Sequence, residues 1–265
     1  MDRNDVNHAV VICAGIGANP DNAGCAFATA DSFPDRFEVF PDLECRWSPE
    51  FRTPDAAGRL RAALARWPLR GFTSYLDEVG SGAWLASAQG FAFFEPAAEN
   101  RLIASLSVFP HQVPHVADLA RRIPGLTILL HHMAFLGPRT AITRDGPALV
   151  TAAASCPGIH VKLSGAGNVA GPQDAYPYPA LAWIGQLLCA AFGSERLVWG
   201  SDFPVAARHM TYRQCLDMVA RHGPGPASAS AAMLGENMAR LLAAAGPTAD
   251  DKSPLRPESA TGNTP

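Results

Sequence analysis

The residues best suited to chemistry in this sequence lie directly after apolar runs. Asp202 follows the run RLVWGS at 196–201, and His131 and His132 follow the run LTILL at 126–130. A carboxylate in such a place can ligate a metal or take a proton from water, but capping a helix or pairing with an arginine would explain it equally well. Two adjacent histidines on a strand point to opposite faces, so at most one of them faces a site. For either histidine alone, a structural role is the more common one.

Other titratable side chains give weaker signals. Lys162 lies inside the run IHVKLS at 159–164, where it is either a buried catalytic amine or a lysine that reaches solvent over a buried stem. His111 and His115 are four residues apart at a helix start, a spacing that binds metal in a minority of cases. The six cysteines form no C-x-x-C pair, which argues against a cysteine zinc site and indicates free thiols in a reducing cytoplasm.

Strand-like and helix-like segments alternate along the chain. Short apolar or β-branched runs predict seven strands, at 9–13, 36–43, 70–75, 102–109, 126–131, 159–164 and 196–201. Amphipathic stretches predict helices at 53–67, 113–122, 147–154, 180–192, 212–221 and 228–244. Several strands are almost wholly apolar, as in a parallel sheet covered by helices, so the alternation favours a (β/α) TIM-type barrel over an open doubly wound sheet. No Gly-x-Gly-x-x-Gly turn follows a strand, which weakens the dinucleotide-binding alternative.

Composition excludes several partners and separates a tail from the folded chain. The chain is 48% hydrophobic and 17% charged with a net charge of -3, and its basic residues do not cluster, so we expect no nucleic-acid or anionic-lipid partner. No apolar run reaches the roughly 18 residues of a membrane span, and no signal sequence opens the chain. Residues 247–265 contain four prolines and are predicted to be disordered, which leaves one barrel domain over 1–246.

Several motifs in the right order resemble those of the amidohydrolase-related (amidohydrolase 2) TIM-barrel family. The segment ERLVWGSDFP at 195–204 resembles the family's last-strand motif G-S-D-[WF]-P. LTILLHHMAFLG at 126–137 resembles its sixth strand, and IHVKLSG at 159–165 its seventh. YPYP at 176–179 and LGENMARL at 234–241 also fit the family's pattern. The functional types that the chain resembles most are the dicarboxylate lactonases and the carboxylate decarboxylases.

The resemblance implies catalytic roles for two residues. Asp202 matches the last-strand aspartate, which serves as a metal ligand or a general base. His132 matches the sixth-strand histidine, which polarises the scissile carbonyl or ligates a metal. Lys162 and Ser164 match a structural strand and need not touch substrate.

Three further residues are candidates for substrate binding. Tyr178 belongs to the YPYP loop, and His131 stands where many relatives carry a small acidic residue. Arg208, shortly after the last-strand motif, is a candidate clamp for a substrate carboxylate.

The sequence departs from the family at its metal ligands. The family's first strand carries His-x-His, but this chain has no such motif, and HAVVIC at 8–13 resembles the second strand. The fifth-strand histidine is also missing, and His111 lies two residues past that strand. A catalytic zinc normally has three protein ligands, so with only His132 and Asp202 we expect at most a weakly bound divalent metal such as zinc. The missing strand implies a late start codon, a partner chain across the gap, as in a homo-oligomer, or an open seven-stranded barrel.

These observations lead to one main function and two alternatives. The main prediction is a hydrolase that acts on a small carboxylated lactone, ester or amide, with water activated by Asp202 and the carbonyl polarised by His132. The first alternative is a non-oxidative decarboxylase, which needs a bound divalent metal. The second is a catalytically degenerate barrel that only binds a ligand or a partner.

Overall fold

Seven short strands form the framework of the protein. The computed structural model describes residues 1–15, 21–33, 35–138 and 144–246, so the predicted tail at 247–265 lies outside the described residues. The strands β1 to β7 are, in order, Ala9–Ile12, Phe37–Phe40, Gly71–Tyr75, Ile103–Ser107, Thr127–Leu130, Ile159–Leu163 and Leu197–Trp199. Each of them lies within one of the seven predicted runs.

The strands form one parallel array in chain order. β1 pairs with β2, and β3 to β7 pair successively. A parallel bridge between Asp42 and Thr73 joins the two sheets, because the Thr73 amide donates to Pro41 and the Leu43 amide donates to Thr73, each at 2.9 Å. No pairing joins β7 to β1 within the described ranges. The described strands therefore form a partial, open barrel of the α/β class, which confirms the predicted fold class.

Nine α-helices accompany these strands in the described ranges. They are α1 to α9, at Asn22–Ser32, Ala56–Arg66, Ala88–Glu99, Val113–Arg122, Gly146–Ala152, Ala166–Val169, Ala182–Phe192, Tyr212–Ala220 and Asn237–Ala244. The prediction for 113–122 matches α4 at both ends, but α1, α3 and the four-residue α6 were not predicted. None of the helices in the described part of the chain is long and apolar enough to cross a membrane.

The predicted helix at 228–244 is divided into three pieces. A 3-10 turn at Ala227–Ala229 and a π-helical turn at Ala232–Glu236 precede α9. At the start of α9, the buried Asn237 amide donates to the carbonyls of Ser194 and Leu197, each at 2.8 Å. The π-helical turn places Asn237 where its amide can bond these two carbonyls beside β7. An amphipathic pattern that runs evenly through 228–244 does not reveal this turn.

The strands bury two different faces. Side chains such as Phe72, Ala104 and Ile128 belong to the large core that packs against the helices. On the opposite face, a smaller apolar cluster brings together residues of β2, β4, β5, β7 and α9, namely Phe40, Ile103, Leu129, Val198 and Leu242. Because β2 and β7 meet in this cluster, the array curls around an interior. Further along the strands that interior becomes polar, at Thr73, Ser105 and Lys162.

Candidate active site

The predicted site residues converge where β5, β6 and β7 end. These three strands are neighbours in the sheet, so the residues that follow them share one mouth of the barrel. His131 and His132 follow β5, Ser164 follows β6, and Asp202 comes three residues after β7. The His132 Nε2 atom lies 3.8 Å from Asp202 Oδ1, and both side chains are largely buried.

A tight turn positions His132. β5 ends at Leu130, and the next five residues form a turn in which His132, Met133 and Ala134 have positive φ. The two histidines therefore lie beyond the strand, so strand alternation does not separate their side chains, whose ring centroids are 5.6 Å apart. The His132 Nδ1 atom lies 2.9 Å from the Ser164 hydroxyl. The ring also rests against Gly165, where a Cβ atom would overlap it.

Asp202 is held as a partly buried carboxylate. Its Oδ2 atom accepts a hydrogen bond from the Asn168 side-chain amide at 2.8 Å, and its backbone is left-handed with φ 55°. Burial raises the pKa of Asp202 above its ordinary value, while the Asn168 bond and the charge of Lys162 limit the rise. Asp202 therefore binds a proton more tightly than a free aspartate does, a property that suits a general base.

His132 is neutral beside this carboxylate. Burial, with a smaller effect of the nearby charge of Lys162, lowers the pKa of His132 to about 3. The pair is thus a carboxylate and an uncharged imidazole. Because the Asp202 carboxylate faces Nε2, it favours the tautomer protonated there, and Nδ1 then accepts from the Ser164 hydroxyl.

The interior below this pair contains a second group of polar residues. His131 is only 1% exposed, and its Nε2 atom lies 2.6 Å from the Ser105 hydroxyl. Lys162 donates from Nζ to the same hydroxyl at 3.2 Å. Burial lowers the pKa of Lys162 to about 8, and the charge of Asp202 opposes that change. Tyr75 packs edge-on against His131, with ring centroids 5.1 Å apart.

The other two predicted binding residues, Tyr178 and Arg208, lie in different surroundings. Tyr178 is 3% exposed and lines a mostly apolar cavity of about 280 Å³, which Ser164 and Ser201 also border. This cavity adjoins the pair of His132 and Asp202, since Ser164 bonds His132 and Ser201 precedes Asp202. Arg208 lies at the exposed end of the 3-10 turn Val205–Arg208. Contacts of Tyr178, Arg208 and His131 with substrate stay predictions.

Sequence reasoning missed one member of the site and left another open. Asn168 lies in the short helix α6, which has no amphipathic signal, so nothing in the pattern pointed to its bond with Asp202. For Lys162, the residues alone left a catalytic amine and a solvent-reaching lysine open, and the resemblance assigned a structural strand. The structure places its amine in the barrel interior, at the Ser105 hydroxyl. The available signal was its place between the buried residues Val161 and Leu163, which puts it on the opposite face.

The donors present do not complete a zinc site. Within the described ranges, no three side chains of His, Cys, Asp or Glu are grouped so that they could hold a metal ion. His132 and Asp202 supply two donors, and the neighbouring charge of Lys162 disfavours a dication between them. His111 supplies no third donor, because its Nε2 atom donates to the Gly80 carbonyl at 3.0 Å and the residue is exposed.

Comparison with known proteins agrees with this architecture. A family model described as amidohydrolase matches residues 1–243. An L-fucono-1,5-lactonase from Burkholderia ambifaria is 30% identical over 166 residues, which cover 59% of this chain and 53% of that protein. An L-fucono-1,5-lactonase from Burkholderia multivorans is 31% identical over 212 residues, 73% of this chain and 69% of that protein. The match thus spans about half of the first relative and about two thirds of the second.

A solved structure gives the same result for the fold. A crystal structure of an amidohydrolase from Burkholderia multivorans with bound zinc is 25% identical, with a TM-score of 0.70. The superposition covers 89% of this chain and 83% of that one. Since the family model spans nearly the whole described chain and the fold agrees, the chain belongs to the amidohydrolase family.

Proposed function

We propose that this protein hydrolyses the ring ester of a small carboxylated lactone. The observation that carries the proposal is the pairing of a carboxylate of raised pKa, Asp202, with a neutral imidazole, His132, at 3.8 Å in the barrel mouth. The similarity to two proteins named as lactonases supports the choice of a lactone over an amide or an open-chain ester. Because the lactonase match covers only part of those proteins, the activity of this chain requires a direct test.

The two residues divide the work of ring opening. The Asp202 carboxylate takes a proton from water as the water oxygen forms a bond to the lactone carbonyl carbon. The π electrons of the carbonyl move to its oxygen, which accepts a hydrogen bond from the Nε2–H of His132. When the carbonyl re-forms, the ring C–O bond breaks and Asp202 returns the proton to the leaving alkoxide. The product is a hydroxy acid, and both residues regain their starting protonation states.

The surroundings support this division of roles. Asn168 fixes the carboxylate through Oδ2, which leaves Oδ1 facing His132 and the mouth. Ser164 fixes the imidazole from its other nitrogen, so a neutral ring presents a donor where the carbonyl oxygen lies. The cavity beside them is large enough for the part of the substrate remote from the ester, with Tyr178 in its wall. Arg208 is the candidate residue for binding the carboxylate group of the substrate.

The proposal is tested by turnover of a defined panel. Five- and six-membered lactones, each with and without a carboxylate, are mixed with the purified protein, and proton release is followed at constant pH. We expect ring opening of at least one carboxylated lactone, with little turnover of the uncharged counterpart. Release of carbon dioxide from aromatic carboxylates without lactone hydrolysis would instead establish the decarboxylase alternative. Binding of lactones without turnover would establish a degenerate barrel.

The location and assembly of the protein belong to the same proposal. We place the enzyme in the cytoplasm, which agrees with the free thiol state of all six cysteines. The four residues of β1 are all only partly buried, so this edge has room for a further strand or a second copy of the chain. Light scattering of the purified protein will distinguish a monomer from a homo-oligomer.

A further inference from the structure

Lys162 is a partly buried cation that has no role in the ring opening proposed above. It lies on the interior face of β6, with Val161 and Leu163 pointing into the opposite core. Its amine reaches the Ser105 hydroxyl on β4, across the end of the intervening strand β5. The lysine stem passes close to Ser164, the residue that bonds His132, because a Cβ atom on Gly200 would lie 3.1 Å from Lys162 Cδ and 3.2 Å from Ser164 Cβ. The charge of the amine also affects the pKa values of His131, His132 and Asp202. A charge withdrawn from water into the barrel interior has a high desolvation cost, so its retention calls for an anionic partner during the reaction.

The hydrogen bonds around Lys162 have one consistent direction. Thr73 Oγ1 donates to the Ser105 carbonyl at 3.1 Å, and Lys162 Nζ donates to the Ser105 hydroxyl oxygen at 3.2 Å. The Ser105 hydroxyl hydrogen is then free to point at His131 Nε2, 2.6 Å away. His131 accepts it as a neutral ring, because burial holds its pKa well below the ordinary value. The chain of bonds therefore begins at a charged amine and ends at an uncharged imidazole.

We propose that Lys162 is a further catalytic residue, whose ammonium group stabilises the oxyanion formed when water adds to the lactone carbonyl. This inference rests on the proposed lactone hydrolysis. Before water adds, the site holds one negative charge on Asp202 and one positive charge on Lys162. After Asp202 takes the proton, the negative charge lies on the substrate oxygen, and Lys162 becomes its partner. The site therefore stays neutral throughout, which avoids burying an unpaired charge.

Ser105 and His131 are positioning residues for this cation. Both side chains are buried, and Ser105 contacts Lys162 and His131 in turn. Together they fix one N–H of the amine, so its other hydrogens are directed away from Ser105. A neutral His131 serves this purpose, whereas a protonated ring would donate to Ser105 and repel the amine.

The kinetic test uses the two lysines of the chain as a matched pair. Lys162→Met removes the charge with little change in length, and Lys252→Met makes the same exchange in the segment after residue 246. We expect kcat on the accepted lactone to fall about 10²–10³-fold in K162M with a small change in KM, and to stay unchanged in K252M. Ser105→Ala should lower kcat roughly 10–100-fold, because it loosens the amine without removing its charge. A kcat for K162M within threefold of the wild type would overturn the proposal.

A second measurement works without turnover. Protein labelled with ¹³Cε-lysine gives only two lysine signals, which K252M assigns. A six-membered cyclic phosphonate, which mimics the anionic tetrahedral intermediate, should shift the Lys162 signal and leave the Lys252 signal in place. Its affinity should be at least tenfold weaker for K162M than for K252M. An unmoved Lys162 signal on saturation would overturn the role of Lys162, whereas a shift in a protein that hydrolyses no lactone would refute only the proposed function.

Discussion

Replacing Gly165 with alanine should disable the site by displacing His132. Gly165 follows Ser164 at φ 65°, and its Cα faces the imidazole ring. A Cβ atom there would overlap Nδ1 and lie 2.7 Å from Cγ, whereas ordinary contact begins at 3.4 Å. The ring would have to retreat by at least about 0.7 Å, which breaks the Ser164 bond and moves Nε2 from its place beside Asp202. A misplacement of about 1 Å costs roughly 100-fold in rate, so we expect a loss of that order in kcat/KM.

Gly125 provides the matched control for this substitution. It also has positive φ, at 91°, but a Cβ atom there meets nothing within 4 Å. Both alanine variants should lose about 1–2 kcal/mol in the free energy of unfolding, since each forces a Cβ into the left-handed region. Only G165A should lose activity. Urea unfolding and kcat/KM measured on both variants separate the two effects, and equal activities for G165A and G125A would refute the placement of His132.

Three further predictions test the electrostatics and the metal content. Asn168→Ala removes the donor that holds the pKa of Asp202 down, so the acid limb of the kcat/KM profile should move to higher pH; an unchanged limb would contradict Asp202 as the base. Burial lowers the pKa of His160 to about 4 and that of His132 to about 3, so the unfolded chain takes up protons first as pH falls below about 6.5. The free energy of unfolding should therefore fall as pH drops from 6.5 to 4, and His160→Gln should remove up to about 1.4 kcal/mol per pH unit from that slope in urea titrations; an unchanged slope would contradict the buried neutral state. Metal analysis of dialysed protein should find less than one equivalent of zinc, whereas a full equivalent of zinc or manganese would favour the decarboxylase alternative.

The barrel framework was predictable because each strand carries a local signal. All seven strands lie inside predicted apolar runs, and α4 begins and ends where its amphipathic pattern does. Helix α3 was not predicted, because it contains Pro96, a residue that usually ends helices, and its buried phenylalanines do not lie on one stripe. The run at 126–131 was extended one residue too far, since the backbone leaves the strand at His131 for a turn of left-handed residues. Apolar content predicts that a strand exists better than it predicts where the backbone turns away.

The site was predictable only in part, for a physical reason. Asp202 and His132 follow strands, and strand ends meet at one mouth in a parallel barrel, so their convergence follows from pattern and resemblance. The hydrogen-bond partners in the site depend on how neighbouring strands are aligned with one another. Lys162 bonds Ser105 across 57 residues of sequence, and no local motif encodes that contact. The burial that raises the pKa of Asp202 and lowers that of His132 likewise comes from packing of the whole barrel.

The substitution Asp202→Asn tests the central claim most directly. Asparagine keeps the shape of the side chain but cannot take a proton from water, whereas the exposed Asp118→Asn makes the same exchange beside Arg121, away from the mouth. We predict that kcat/KM on the accepted carboxylated lactone falls by about 10²–10⁴-fold in D202N and stays at the wild-type value in D118N. Turnover of every accepted lactone at the wild-type rate by D202N would contradict the assignment of Asp202 as the general base.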